Sequence, residues 1–227
     1  FTNAIRIDPE YAEAYYKRGN AYRKLGNSED AIADYTRAIR VDPDYAKAYK
    51  NRGNVYRKLG NYEDAIADYT SALRINPDYA EVYFMRADTY SNSGNNEDAI
   101  ADYTSVLRIN PDWANAYNNR GNQYVELGNY DDAIADFTRA IRIDPDYAGT
   151  YDNRGDAYFK SGNYEDAIAD FTRAIRIDPD YAGTYSNRAI VKNKMGLNAC
   201  SDFKRCCDLG DEDCCRKYHE QCKVPSW

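Results

Sequence analysis

One spacing, 34 residues, governs most of this chain. Pro9, Pro43, Pro77, Pro111, Pro145 and Pro179 follow one another at that interval. So do Gly26, Gly60, Gly94, Gly128, Gly162 and Gly196, and likewise Arg18, Arg52, Arg86, Arg120, Arg154 and Arg188. The phrase EDAIADYT at 29–36 returns at 63–70 and 97–104, and nearly unchanged at 131–138 and 165–172. A fixed period of this length marks a repeat array, in which each unit is a supersecondary piece that buries its apolar face only against its neighbours.

Each unit reads as two helices. In the second, Asp42-Pro43-Asp44 offers a side-chain acceptor for an N-cap, a proline for the first helical position and an acid for the first turn. Tyr45, Tyr49, Tyr56 and Leu59 then recur at helical spacing, and Gly60 suits the left-handed residue that ends a helix. Asn61 is placed to cap a second helix whose apolar stripe is Ala65, Ile66, Tyr69, Ala72 and Leu73. Small residues such as Gly53 and Ala65 allow the two helices to approach closely.

The order aromatic, Gly, aromatic, Ala, aromatic, Ala, Pro, here Tyr49, Gly53, Tyr56, Ala65, Tyr69, Ala72 and Pro77, resembles the tetratricopeptide repeat (TPR) family. The resemblance implies an all-α fold, a right-handed superhelical solenoid of helix-turn-helix repeats. Repeats are expected at 12–45, 46–79, 80–113, 114–147 and 148–181, with a degenerate sixth and a capping hairpin over 182–227. Residues 1–11 read as the remnant of a truncated repeat, since Phe1 aligns with the last aromatic of a second helix. Either the chain is cut there, or another copy covers Phe1, Ile5 and Ile7. One departure recurs: the residue before the small helix-contact position is Arg in every unit, with an Asp on the second helix, as in Arg52 with Asp68 and Arg120 with Asp136. A ladder of Arg–Asp pairs is expected. Treated as exposed pairs of ~0.2–1 kcal/mol each, they set register more than stability.

All the cysteines fall between Cys200 and Cys222, at Cys200, Cys206, Cys207, Cys214, Cys215 and Cys222. Folding 198–209 and 211–222 as a helical hairpin about Gly210 makes them mirror one another. Six cysteines admit many pairings. The mirror favours Cys200–Cys222, Cys206–Cys215 and Cys207–Cys214, although adjacent cysteines point about 100° apart on a helix, which leaves one inner bridge open. The spacing resembles disulfide-tied hairpins that end some secreted bacterial solenoids, and it implies an extracellular or periplasmic location. A zinc site at Cys214, Cys215, His219 and Cys222 is the weaker alternative, because adjacent cysteines suit one tetrahedral ion poorly.

The rest of the composition mainly excludes. The net charge is −7, against nucleic acid as the main partner. No apolar run is longer than Val82–Met85, far short of the roughly 20 residues of a membrane span. No catalytic motif is present, so neither an enzyme nor a cofactor is expected. Of 24 tyrosines, all but Tyr16 and Tyr218 sit at recurring positions that the resemblance assigns to packing.

In the family the first helices line a concave groove. Here that lining offers Lys17, Arg23 and Lys24 in the first repeat and Lys47, Lys50, Asn54, Arg57 and Lys58 in the second. It then turns neutral or acidic through Phe84, Asn118, Asn122 and Asp152. The five full repeats carry 0, +2, −4, −3 and −3. A groove with a basic mouth and an amide-rich middle suits a partner peptide bearing an acidic end. The carboxylate clamp of some family members is matched only at Lys50 and Asn54, because Met85, Asn115 and Asn119 hold its other positions. The RNA-reading cousins of the family have a period one residue longer. The expected function is a non-catalytic protein–protein interaction scaffold, secreted or periplasmic. The alternative is a structural subunit that polymerises head to tail into an extracellular filament.

Overall fold

The structure, a computed structural model, describes residues 1–222 and contains fourteen helices and no strand among them. It divides into two compact units. The first, Phe1–Pro111, holds α1 (Thr2–Ile7) and three hairpins: α2 (Ala12–Lys24) with α3 (Ser28–Val41), α4 (Ala46–Lys58) with α5 (Tyr62–Ile75), and α6 (Ala80–Asn92) with α7 (Asn96–Ile109). The second, from Asp112, pairs α8 (Ala114–Glu126) with α9 (Tyr130–Ile143), α10 (Ala148–Lys160) with α11 (Tyr164–Ile177), and α12 (Ala182–Lys194) with α13 (Cys200–Asp208), and ends on α14 (Glu212–Gln221). Both are all-α stacks of the solenoid class.

The helix starts differ from the expected ones. Asp42-Pro43-Asp44 does not begin α4 but forms the turn before it. Asp42 is extended at φ −128°, its Oδ1 accepts the Asp44 N–H at 3.1 Å, and its carbonyl accepts the Tyr45 N–H at 3.2 Å. A proline with preset φ and an aspartate that bonds its own backbone two residues on are turn formers before they are helix formers. Asn61 does precede α5, but its side chain makes no capping bond, and the first-turn acids Glu63 and Asp64 complement the helix dipole instead. Gly60 ends α4 as expected. At φ +81° it lets its own N–H reach the Arg57 carbonyl and the Asn61 N–H reach that of Tyr56.

One aromatic per hairpin fills the space between its helices: Tyr35, Tyr69, Tyr103, Phe137, Phe171 and Phe203 are all fully buried. A Cβ at Gly53 would lie 2.9 Å from the Tyr69 ring, and one at Gly121 2.7 Å from the Phe137 ring. These glycines therefore set how closely the two helices of a hairpin pack.

The arginine ladder is present and is more deeply set than an exposed one. Arg18–Asp34, Arg52–Asp68, Arg86–Asp102, Arg120–Asp136, Arg154–Asp170 and Arg188–Asp202 are each bidentate through Nε and Nη2, at 2.6–3.0 Å. The aspartate side chains are only 3–10% exposed, so surface-pair energetics do not apply to them. Four of the guanidinium groups also reach backwards: Nη1 of Arg52, Arg86, Arg154 and Arg188 donates to Thr36, Thr70, Thr138 and Thr172 of the preceding hairpin at 2.7–2.9 Å. Two tyrosine rings flank the guanidinium in the first five rungs, as Tyr49 and Tyr56 do for Arg52, and Tyr185 alone among the described residues does so for Arg188.

The C-terminal segment is not a freestanding hairpin. Asp202-Phe203 occupies the place of Asp170-Phe171 after a two-residue shortening. Arg188 finds its aspartate 14 residues on, where Arg154 finds one 16 on. So α13 is the second helix of the sixth repeat, and α14 alone caps it. This settles the cysteine pairing. The bridges are Cys200–Cys222, as expected, with Cys206–Cys214 and Cys207–Cys215 in place of the mirrored inner pairs. Cys206 takes the stripe position held by Ala174 one repeat earlier. It and Cys214 face the core at 0% exposure, while Cys207 and Cys215 both lie half-buried on the flank. Equal depth, rather than mirror order, decides which sulfurs meet. With all six committed to bridges, the zinc alternative has no thiolates left.

Two outcomes follow for the cap. Cys206→Ser/Cys214→Ser should leave no titratable thiol in the unfolded, unreduced protein, whereas Cys206→Ser/Cys215→Ser should expose two unpaired cysteines to alkylation, read by intact mass. Burial pushes the Asp202 carboxyl up, but hydrogen bonds from Arg188 and Lys192 outweigh it and leave it below 3.8. Its stabilising contribution is therefore complete above that value and is lost as the pH falls through the lower folded one. Asp202→Asn should depress the melting temperature at neutral pH, and the gap to wild type should narrow below pH 3.8.

Candidate partner-binding surface

The first helices of successive repeats lie side by side within each unit and share polar contacts. In the first unit Asn51 donates to Asn20 on α2 at 2.8 Å and to the Tyr16 hydroxyl at 3.1 Å. In the second, Asn153 donates to Asn118 at 3.1 Å, and Asn187 to Asp152 at 3.3 and 3.4 Å. Residues of the sixth position in one repeat thus reach the fifth or ninth of the repeat before.

Several expected partner-binding residues already have partners. Lys17 pairs with Glu13 at 2.8 Å. Lys50 is half-buried, bonded to Glu81 at 2.9 Å and set over the Tyr79 ring at 5.1 Å. Burial works against its ammonium, and contacts with Tyr79 and Glu81 overcome that, so Lys50 keeps its proton above the ordinary lysine range. Asn54 accepts from the Tyr69 hydroxyl at 2.7 Å, which burial pushes up to about 12 and so keeps neutral. Phe84 packs edge-on against Tyr103, and Asn118 is buried. Lys47 is exposed close to Glu13.

A different subset is free of carboxylate partners among the described residues, although Arg23 and Arg57 lie against the Tyr35 and Tyr69 hydroxyls. Arg23 and Lys24 form the basic last turn of α2, and Arg57 and Lys58 that of α4, none of them ion-paired among the described residues. The Arg57 Nε is buried without a hydrogen-bond partner. The end of α6 has no base. In these repeats the core tyrosine hydroxyls engage the ninth position: Tyr35 donates to Asn20 at 2.8 Å and Tyr103 to Asp88 at 2.6 Å. In the second unit phenylalanine replaces tyrosine at that core position, and Asn122 is left half-exposed with no such donor.

The second unit also holds a cavity of about 460 Å³ between the start of α10 and the α11–α12 turn. Tyr147 and Tyr181 wall it at 51% and 57% exposure, so these two tyrosines depart from the expected packing role. Each ring folds back over a glycine two residues on, Gly149 or Gly183, where a Cβ would lie 3.0–3.1 Å away. Those glycines are the sequence signal that tyrosine counting missed.

Helical hairpins of this period and packing define a repeat protein whose job is carried by its surfaces. Tetratricopeptide-repeat family models match residues 16–80 and 56–119, and a TPR repeat model matches 1–26, 121–162 and 155–196. The chain belongs to the tetratricopeptide repeat family, a class of protein-interaction scaffolds. It is similar to YrrB, described as a TPR protein with an unusual peptide-binding site, at 27% identity and TM-score 0.74 over 81% of this chain and 95% of YrrB. It is also similar to MamA, at 25% identity and TM-score 0.69 over 71% and 94%. A tetratricopeptide repeat protein of Parabacteroides merdae covers 96% of this chain and is itself covered to 88%, at 25% identity and TM-score 0.66. No curated protein sequence matches.

Proposed function

We propose that this protein is a non-catalytic TPR scaffold of an oxidising compartment, the periplasm or the cell exterior, that grips an acidic segment of a partner protein on its first unit. The observation that carries this is the cluster Arg23, Lys24, Arg57 and Lys58. These are four cations at adjacent helix ends with no carboxylate of their own, while Lys17 and Lys50 are neutralised by Glu13 and Glu81. Cations at helix C-termini also suit the dipole. The peptide-binding description of YrrB and three disulfides clustered in one cap support the partner class and the compartment.

A second reading, head-to-tail self-assembly, draws on the exposure of Phe1 and Ile7 along α1, which buries none of its own residues. One experiment separates them. Fluorescence anisotropy with a labelled glutamate-rich peptide should show salt-sensitive binding that Arg57→Glu/Lys58→Glu weakens at least about tenfold and Lys17→Glu leaves alone. Equal loss from both variants would mean a diffuse charge effect and reject the cluster. Sedimentation velocity on the same unreduced sample should give one small species at all concentrations. Growth into long assemblies would favour the filament.

A further inference from the structure

The cavity of the second unit has a counterpart in the first, and the two are filled differently. In repeat register, Asp152 stands where Lys50 stands, Tyr181 where Tyr79 stands, and Gly183 where Glu81 stands. In the first unit the place is closed by the chain's own cation: the Lys50 ammonium lies 2.9 Å from Glu81 and 5.1 Å from the centre of the Tyr79 ring. In the second unit the lysine has become an aspartate and the glutamate a glycine, and a volume of about 460 Å³ opens at the same point of the repeat.

The lining carries one sign of charge. Asp146, Asp152 and Asp178 face the space with the rings of Tyr147 and Tyr181, and no lining residue is cationic. Asp152 is held by amide donation from Asn187 and makes no ion pair among the described residues. Burial accordingly raises its carboxyl above the ordinary aspartate value, with hydrogen bonds from Thr184 and Asn187 opposing. Asp146 likewise makes no ion pair among the described residues. A recessed carboxylate with no countercharge in the lining, in a cavity shared with two exposed aromatic rings, is an arrangement that a desolvated cation stabilises.

We infer that this cavity receives a lysine side chain from a partner polypeptide, whose ammonium takes the position that Lys50 occupies in the first unit. The occupant is a primary ammonium on an extended apolar stem. The stem lies along the tyrosine rings and the charge meets Asp152, flanked by Asp146 and Asp178. A lysine-bearing partner segment here is distinct in charge from the acidic segment proposed for the first unit, and it stands or falls separately from it.

The test uses the full oxidised chain, isotopically labelled for amide chemical shifts, titrated with n-butylammonium chloride. n-Butanol at matched ionic strength serves as the neutral isostere. The expected result is a saturable shift confined to residues 146–153 and 177–184, with butanol at least about tenfold weaker. Asp152→Asn and Tyr181→Ala should each weaken the ammonium by a similar factor, while Glu165→Gln on α11, outside the cavity, should leave it unchanged. Asp152→Lys/Gly183→Glu rebuilds the closed arrangement of the first unit, so it should fold with a raised melting temperature and no longer bind. Equal binding of butanol, shifts scattered over all acidic surfaces, or undiminished ammonium binding by the Asp152→Lys/Gly183→Glu variant would overturn the assignment.

Discussion

The guanidinium of the seventh residue in each repeat is the part on which the remainder depends. It spends Nε and Nη2 on the aspartate of its own hairpin, and in Arg52, Arg86, Arg154 and Arg188 it spends Nη1 on a threonine of the hairpin before, as Arg52 does with Asp68 and Thr36. A methionine or leucine in that place would bury as much carbon but would not fix angle or register. The rigid fork of arginine fixes both, because its planar donors meet two acceptors in set directions. Apolar packing around Tyr69 or Phe137 drives each hairpin together, and the glycine opposite sets its spacing.

The pairs are not simple gains in stability. Burial pushes the Asp68 and Asp102 carboxyls up even with an arginine bonded to each. Between the ordinary value and the raised one, the folded state therefore holds more protons than the unfolded chain, and folding weakens as the pH rises. At Asp202 a second cation, Lys192, reverses the sign. Asp202 lies on α13, the helix that the disulfides tie to α14. Breaking one partner of a half-buried pair is still costly, since it strands the other charge.

Much of this was legible in the chain itself. The 34-residue period located the repeats, and the recurring Arg and Asp announced the ladder. Its depth was hidden, because burial depends on the tyrosines stacked against the arginines. The sixth repeat was hidden by two missing residues, which moved Asp202-Phe203 out of register and made α13 look like part of a separate hairpin. From that followed the wrong inner cysteine pairs: mirror order is a property of the chain, while Cys206 faces Cys214 because it inherits a core position. The site residues were legible as types and less so as availabilities. Lys50 and Asn118 engage neighbouring repeats through residues 31 and 35 places away, and Asn54 engages the second helix of its own hairpin 15 places on, which no local pattern reveals.

The account rests most heavily on the claim that each arginine staple is a coupled, half-buried unit. A double-mutant cycle in urea tests it directly with Arg52→Leu, Asp68→Leu and the two combined. The prediction is that each single change costs about 3–5 kcal/mol and that the double variant recovers a large part of that loss. Single changes that each cost under about 1 kcal/mol and simply add in the double variant would show surface ion pairs of the ordinary kind, and would contradict it.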